Sequence, residues 1–107
     1  VRHPALPDCP GHALWRRDFT GGNGLVSLVL QPVGREALAA LLDGLKLFAL
    51  GASWGGYESL VIPFDPRPSR TASTRPHQGP CLRLHCGLED ADELIADLSA
   101  GLARLHV

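Results

Sequence analysis

The apolar positions of this chain change period several times, and each change predicts a new structural element. Leu25 to Gln31 is an almost continuous apolar run, which predicts a mostly buried strand that Pro32 ends. From Arg35 to about Leu45 the leucines recur at helical spacing, which predicts an amphipathic helix with one apolar face. A strand followed closely by a helix indicates a mixed fold.

Three further short runs predict strands. Leu47 to Gly51 is the first, Ser59 to Ile62 is the second with Pro63 expected to end it, and Cys81 to Cys86 is the third. Side chains alternate between the two faces of a strand. The third run is therefore expected to place Leu82, Leu84 and Cys86 on one face and Cys81, Arg83 and His85 on the other.

The end of the chain carries the clearest helix signal. Asp90 is a good N-cap, and Glu93 follows three residues later, which is typical of a capping box. The apolar stripe of this helix consists of Leu94, Ile95, Leu98, Leu102 and Leu105. Near the start of the chain, His12 to Asp18 is predicted to form about two helical turns before the glycine-rich turn at 21–24.

The predicted order is helix, strand, helix, three strands and helix. Its short, hairpin-like connections indicate an α+β domain with a mainly antiparallel sheet of about four strands and helices on one face. The proline-rich stretch 63–80 is predicted to be a loop. Residues 25–107 are expected to form the domain. Residues 1–24 are expected to be an N-terminal extended and short-helix segment that leans on a domain outside the chain.

Composition narrows the classes of function. The 107 residues suit one domain, and a net charge of −1 gives no electrostatic reason to expect nucleic acid or an anionic membrane as a partner. No apolar stretch approaches the roughly 18 residues of a membrane span. The odd number of cysteines, without the spacing of a zinc site, indicates reduced thiols, a cytoplasmic location and no metal centre.

Two places could carry chemistry. Arg83 lies between two leucines of a predicted strand, where a guanidinium is costly unless its face is open or its charge is paired. Its planar fork matches a carboxylate. The turn from Ser53 to Gly56 can aim Ser53 and the Trp54 backbone at a ligand. Each also has a structural interpretation, Arg83 as a solvent-facing arginine and the turn as a hairpin connection with a core tryptophan.

Two neighbouring residues are candidates for supporting roles. Glu58 follows the turn, and it either holds the turn through backbone N–H groups, the role favoured here, or binds a substrate amine. His85 shares a face with Arg83 and is either a supporting residue or an exposed histidine. Lys46 is the only lysine of the chain, and its position at a helix end predicts a solvated side chain.

Two segments, Phe48 to Leu60 and Leu82 to Asp90, resemble the C-terminal domain of the Cys/Met-metabolism enzymes that use pyridoxal phosphate (PLP) and have fold type I. The likeness continues upstream through His3–Pro7, Trp15–Phe19 and Gly24–Leu25, so it covers nearly the whole chain apart from the proline-rich loop. Within the family, the sequence looks most like the bacterial cystathionine β-lyases. Their reaction is the α,β-elimination of cystathionine to homocysteine, pyruvate and ammonia.

The resemblance implies a role for each candidate residue. Arg83 matches the arginine that grips the substrate α-carboxylate. Ser53 matches the serine beside the Schiff-base lysine, and Trp54 lies at the substrate edge with its backbone near the carboxylate. The cofactor PLP is expected to be bound by an upstream domain outside the chain, because Lys46 is not in the matching motif. This chain alone, with no catalytic residue of its own, is expected to be inactive, and the full-length enzyme is expected to be a homotetramer.

Two alternatives stay open. The chain is the same domain of a methionine γ-lyase or a cystathionine γ-synthase, or it is a free-standing, non-catalytic α+β module that binds a ligand or a protein. Trp54 favours the β-lyases, because the γ-synthases and γ-lyases usually carry leucine there. Ala52 departs from β-lyases with an aromatic residue at this position, which leaves the preferred thioether open.

Overall fold

The computed structural model describes residues 1–72 and 79–106, and within these ranges four strands form one sheet. The strands are β1 (Leu25–Val29), β2 (Ala49–Leu50), β3 (Leu60–Phe64) and β4 (Cys81–His85). The helices are α1 (His12–Asp18), α2 (Arg35–Asp43) and α3 (Ala91–Ala103), and two short 3-10 turns span Arg67–Ser69 and Arg104–His106. The α+β class and the four-strand count predicted from the sequence are confirmed.

The strand order in the sheet is β1-β4-β3-β2, with β4 between two antiparallel neighbours. The connection between β2 and β3 differs from the expected hairpin, since these two strands run parallel. The Ala49 N–H donates to the Ser59 carbonyl (3.2 Å) and the Gly51 N–H to the Val61 carbonyl (3.1 Å). The chain between them therefore crosses over instead of turning back. We call residues 51–59 the crossover loop.

Pro63 does not end β3 as predicted but lies inside it, opposite Leu82 of β4. The backbone groups of alternate residues in a strand point to the same side. Because the carbonyls of Ser59 and Val61 face β2, the backbone nitrogen of Pro63 faces that side too. Since β2 ends at Leu50, no described strand there needs an N–H from Pro63.

The core lies between the sheet and the helices α2 and α3. Leu82 and Leu84 of β4 are both almost fully buried, and their partners on β1, Val26 and Leu28, lie on the same face. The buried cluster consists of Leu41, Leu42, Phe48, Val61, Leu82, Leu84 and Leu94. The helix α3 starts as predicted, with the Glu93 N–H donating to the Asp90 carboxylate (3.2 Å). None of the described helices is long and apolar enough to cross a membrane.

The N-terminal segment pairs with the sheet at Arg2. Arg2 and Ser27 exchange two backbone hydrogen bonds, of 2.7 and 3.1 Å, beside the edge strand β1. The helix α1 has no buried residue. The expected boundary at residue 24, and a domain outside the chain on which this segment leans, stay predictions.

One carboxylate of α3 fixes the connection from α2 to β2. Asp97 accepts the backbone N–H groups of Lys46 (2.8 Å), Leu47 (2.8 Å) and Phe48 (3.2 Å). Partial burial alone would raise the pKa of Asp97, but these three hydrogen bonds and the charge of Arg104 outweigh it and lower that pKa. Asp97 therefore stays ionised and holds three residues of the connection between α2 and β2, where the sequence predicts Leu47 and Phe48 to belong already to the strand.

Replacing Asp97 with asparagine is expected to destabilise the protein. The amide keeps the shape of the side chain but loses the charge and one acceptor, so the free energy of unfolding should fall by about 1.5–3 kcal/mol. Because the folded-state pKa of Asp97 is lowered, its contribution is present above the ordinary aspartate pKa. It is lost as the pH falls through the lowered value.

Urea unfolding of the wild-type protein and Asp97→Asn across a pH series tests this expectation. Asp92→Asn is the matched control, since Asp92 is an exposed aspartate in the first turn of the same helix. Equal stability of Asp97→Asn and wild type at neutral pH would contradict it.

Candidate functional site

The site is built where the exit of β4 meets the crossover loop. The strand β4 places Arg83 opposite Ser27 of β1 and Ile62 of β3, on the face turned away from the leucine core. Arg83 is half-buried, and its Nη2 donates to the carbonyl of Ala52 at the start of the crossover loop. Arg83 thus contacts the residue that directly precedes Ser53 and Trp54 in the chain.

The guanidinium of Arg83 has unused binding capacity in the described part of the chain. It uses one of its five N–H donors, on a neutral carbonyl, and no carboxylate of residues 1–72 or 79–106 forms an ion pair with it. A half-buried cation without an acidic partner favours an anion as its ligand.

Ser53 and Trp54 follow Ala52 directly and both are exposed. Trp54 keeps 60% of its surface accessible, so it is not the core tryptophan of the structural interpretation. The next residue, Gly55, has a φ of +88°, a backbone conformation that residues with a side chain rarely adopt. The turn therefore depends on glycine at this position and presents Ser53 and Trp54 to the outside of the domain.

His85 lies beneath the crossover loop rather than at the surface. It is only 6% exposed, and its Nε2 lies 2.9 Å from the carbonyl of Gly56. The N–H of Gly55 points at the same ring, 3.2 Å from Nε2 and 3.4 Å from Nδ1. His85 therefore supports the two glycines of the turn from below, and the alternative of an exposed histidine does not hold.

Glu58 does not have the place expected for it. Its side chain is exposed, while Glu89, just beyond β4, binds the end of the loop. The Glu89 carboxylate accepts the N–H (2.9 Å) and the Oγ–H (2.6 Å) of the buried Ser59, and Ser59 Oγ accepts the N–H of Gly87 (2.8 Å). The hydrogen bonds from Ser59 lower the pKa of Glu89. No local pattern in the sequence indicates this pair, because its members lie 30 positions apart.

The backbone of Gly87 makes a second close contact with the loop. A Cβ at this position would lie 2.1 Å from the carbonyl oxygen of Tyr57, and the next N–H, of Leu88, donates to that same oxygen (2.9 Å). Only glycine allows this approach. The exit of β4 therefore contacts the crossover loop at Ala52, Gly55, Gly56, Tyr57 and Ser59.

The loop side of the site faces the solvent, since Ser53 and Trp54 are exposed. A cavity of about 420 Å³ lies at the other end of β4, beside Phe64, Gly79 and Cys81, and it does not include Arg83 or the crossover loop. Within the described ranges, no group of three His, Cys, Asp or Glu side chains could hold a metal ion. The arrangement can bind and orient an anionic group.

These features define a small α+β fold in which a half-buried arginine contacts an exposed loop. The chain belongs to the family of Cys/Met-metabolism PLP-dependent enzymes, whose sequence model matches residues 1–103. The resemblance found in the sequence is thereby confirmed.

The proteins similar to this chain have several different activities. Cystathionine β-lyase MetC of Escherichia coli (strain K12) is 50% identical over 98% of this chain and 28% of its own length. The L-alanine/L-glutamate racemase of Wolbachia pipientis wMel is 45% identical over 98% of this chain and 27% of its own length. The crystal structure of cystathionine γ-synthase from Xanthomonas oryzae pv. oryzae in complex with cystathionine matches with a TM-score of 0.78 and 38% identity, over 97% of this chain and 28% of that one.

The chain spans less than a third of the length of these relatives, and its residues do not make a complete PLP site. Enzymes of this cofactor bind it through a lysine Schiff base. The only lysine, Lys46, is exposed in the connection from α2 to β2, where its backbone N–H is held by Asp97. The described residues fit the substrate side of such a site and not its cofactor side.

Replacing Gly87 with alanine is expected to disturb the contact between β4 and the crossover loop. The new Cβ would collide with the backbone of Tyr57, which cannot rotate away as a side chain would. We expect the free energy of unfolding to fall by about 1–3 kcal/mol, the usual cost of overpacking.

Urea unfolding measures this cost, with Gly56→Ala as the matched control. A Cβ on Gly56 would meet no heavy atom within 4 Å, so this variant should unfold close to the wild-type midpoint. If both variants lose the same stability, the close approach at Gly87 is not what holds the loop.

Proposed function

We propose that this chain forms the substrate-carboxylate wall of a PLP-dependent carbon–sulfur lyase that cleaves cystathionine by α,β-elimination. The observation that carries the proposal is the placement of Arg83, half-buried and without an acidic partner in the described chain, next to the exposed Ser53 and Trp54. The 50% identity to the cystathionine β-lyase of Escherichia coli supports the reaction.

The geometry suits an amino-acid carboxylate. The bond to the Ala52 carbonyl orients the guanidinium and leaves N–H donors for the two parallel hydrogen bonds that a carboxylate accepts. The aliphatic Ile62 lies opposite Arg83 on the neighbouring strand. Such a bond fixes the substrate at one end, which supplies orientation for a reaction at the neighbouring carbon.

Ser53 and Trp54 extend this surface. In the proposed enzyme, Ser53 faces the lysine that carries the cofactor, and the Trp54 backbone contributes to carboxylate binding. PLP supplies the electron sink for the elimination when it is bound. We propose that the part of the enzyme outside this chain holds it. A homotetramer and a cytoplasmic location stay predictions.

The γ-elimination alternative has a specific observation in its favour, because cystathionine γ-synthase provides a similar solved structure. The exposed Trp54, typical of the β-lyases by resemblance, favours β-elimination. Incubation of the full-length enzyme with L-cystathionine separates the two, since pyruvate indicates the β route and 2-oxobutanoate the γ route. The racemase among the relatives adds a third assay, the appearance of D-alanine from L-alanine. D-Alanine without pyruvate would overturn the lyase proposal.

Replacing Arg83 with alanine in the full-length enzyme is expected to lower kcat/KM for cystathionine by at least about thirtyfold. Truncating one partner of a desolvated, hydrogen-bonded charge pair costs about 2–5 kcal/mol. Arg83→Lys should recover part of the loss, because it restores the charge but not the two-pronged geometry.

Steady-state kinetics of pyruvate release measures the effect. Arg35→Ala is the matched control, since Arg35 is an exposed arginine at the start of α2. A wild-type kcat/KM in Arg83→Ala would return Arg83 to the role of a surface arginine. It would also contradict the proposal that this chain binds the substrate carboxylate.

A further inference from the structure

The crossover loop needs a support other than the arginine that it helps to orient. The two ends of the loop are fixed by the β2–β3 pairing, but Ser53, Trp54 and the two glycines that follow them are exposed. The contact from Arg83 to Ala52 is a single hydrogen bond to a neutral carbonyl, which is too weak to hold the whole loop by itself. The geometry of the wall therefore depends on other contacts beneath the loop.

Glu89 provides the strongest of these contacts. Both of its carboxylate oxygens are engaged by one residue, at 2.9 Å from the Ser59 nitrogen and 2.6 Å from Ser59 Oγ. Ser59 is 1% exposed, and its Oγ also accepts the Gly87 N–H at 2.8 Å. The network is closed, with the hydroxyl group donating to Glu89 and accepting from Gly87. It joins the exit of β4 to the start of β3 across the end of the loop.

We infer that Glu89, acting through Ser59, is a positioning residue that sets the distance between the crossover loop and Arg83 and thereby the affinity for the substrate carboxylate. Glu89 is a neighbour in sequence of β4, the strand that carries Arg83, whereas Ser59 belongs to the loop that carries Ser53 and Trp54. The pair thus links the two halves of the wall. This inference rests on the proposed function, and neither residue touches the reacting atoms.

The charge of Glu89 is part of the arrangement. A carboxylate accepts both hydrogen bonds, whereas an amide of the same shape turns one N–H donor toward a donor of Ser59. Glu89→Gln should therefore lose one bond and weaken the other with little change in volume. Ser59→Ala keeps the backbone N–H but removes the hydroxyl group that joins Glu89 to Gly87. The two variants break the same network from opposite sides.

The test uses the full-length PLP-loaded enzyme with L-cystathionine. Glu89→Gln and Ser59→Ala should each raise KM about tenfold or more, the scale of losing a charge-assisted hydrogen bond, while kcat per bound cofactor changes less than about threefold. The double variant should be no worse than the more affected single variant, since both changes open one network. Glu36→Gln, an exposed glutamate of α2, is the control and should leave both constants unchanged.

The same substitutions in an Arg83→Ala background separate positioning from general damage. If Glu89 acts through the arginine, Glu89→Gln should raise KM no further once Arg83 is absent. An unchanged KM in both single variants, or the same multiplicative rise with and without Arg83, would overturn the inference. If Glu89→Gln gives no folded enzyme, Ser59→Ala decides alone by the same criteria.

The two proposals fail in different ways. A large effect of Arg83→Ala together with a normal KM in the Glu89 and Ser59 variants would refute only the positioning role. A normal kcat/KM in Arg83→Ala would refute the proposed function itself, and the positioning role with it.

Discussion

The central strand β4 has to serve both faces of the sheet at once, and the rest of the structure depends on its register. Leu82 and Leu84 point into the leucine core, whereas Arg83 lies between them on the opposite face. A slip by one residue would bury a guanidinium in an apolar core and expose two leucines. Antiparallel pairing with β1 and β3 on both sides prevents this slip. The hydrophobic core thereby fixes the place of the arginine.

The parallel pairing of β2 and β3 brings the loop between them into contact with the exit of β4. A hairpin at this point would turn the chain back along the edge of the sheet. The crossover loop instead passes the end of β4, where His85, Gly87 and Glu89 contact it. Three residues at alternate positions of one segment thus support one loop. Each contact uses a different kind of group: an imidazole, a backbone without a Cβ and a carboxylate. None of these groups can therefore take over the contact that another one makes.

The sequence predicts the elements of this fold well and their long-range contacts poorly. Periodicity locates α2 and capping chemistry locates the start of the Asp90-capped α3, because these signals are local. The strand alternation also separates Arg83 from its leucine neighbours. The parallel β2–β3 pair and the bond from Glu89 to Ser59 depend on residues brought together from distant positions. Proximity in sequence favours Glu58 as the residue that holds the turn, whereas the carboxylate bonded to the end of the loop is that of Glu89, from beyond β4.

The Ala52 carbonyl explains how a half-buried arginine remains compatible with the proposed role. An unpaired guanidinium would be costly there, while an ion pair with a protein carboxylate would occupy the fork that a substrate needs. A neutral carbonyl is a weaker acceptor than a carboxylate, so it orients Arg83 without competing strongly with an anionic ligand. The stronger charge-assisted bonds are placed elsewhere, at Glu89 and Asp97, where they hold backbone. In the described part of the chain, carboxylates thus fix two loops, whereas the half-buried Arg83 bonds only a neutral carbonyl, which is compatible with the proposed role.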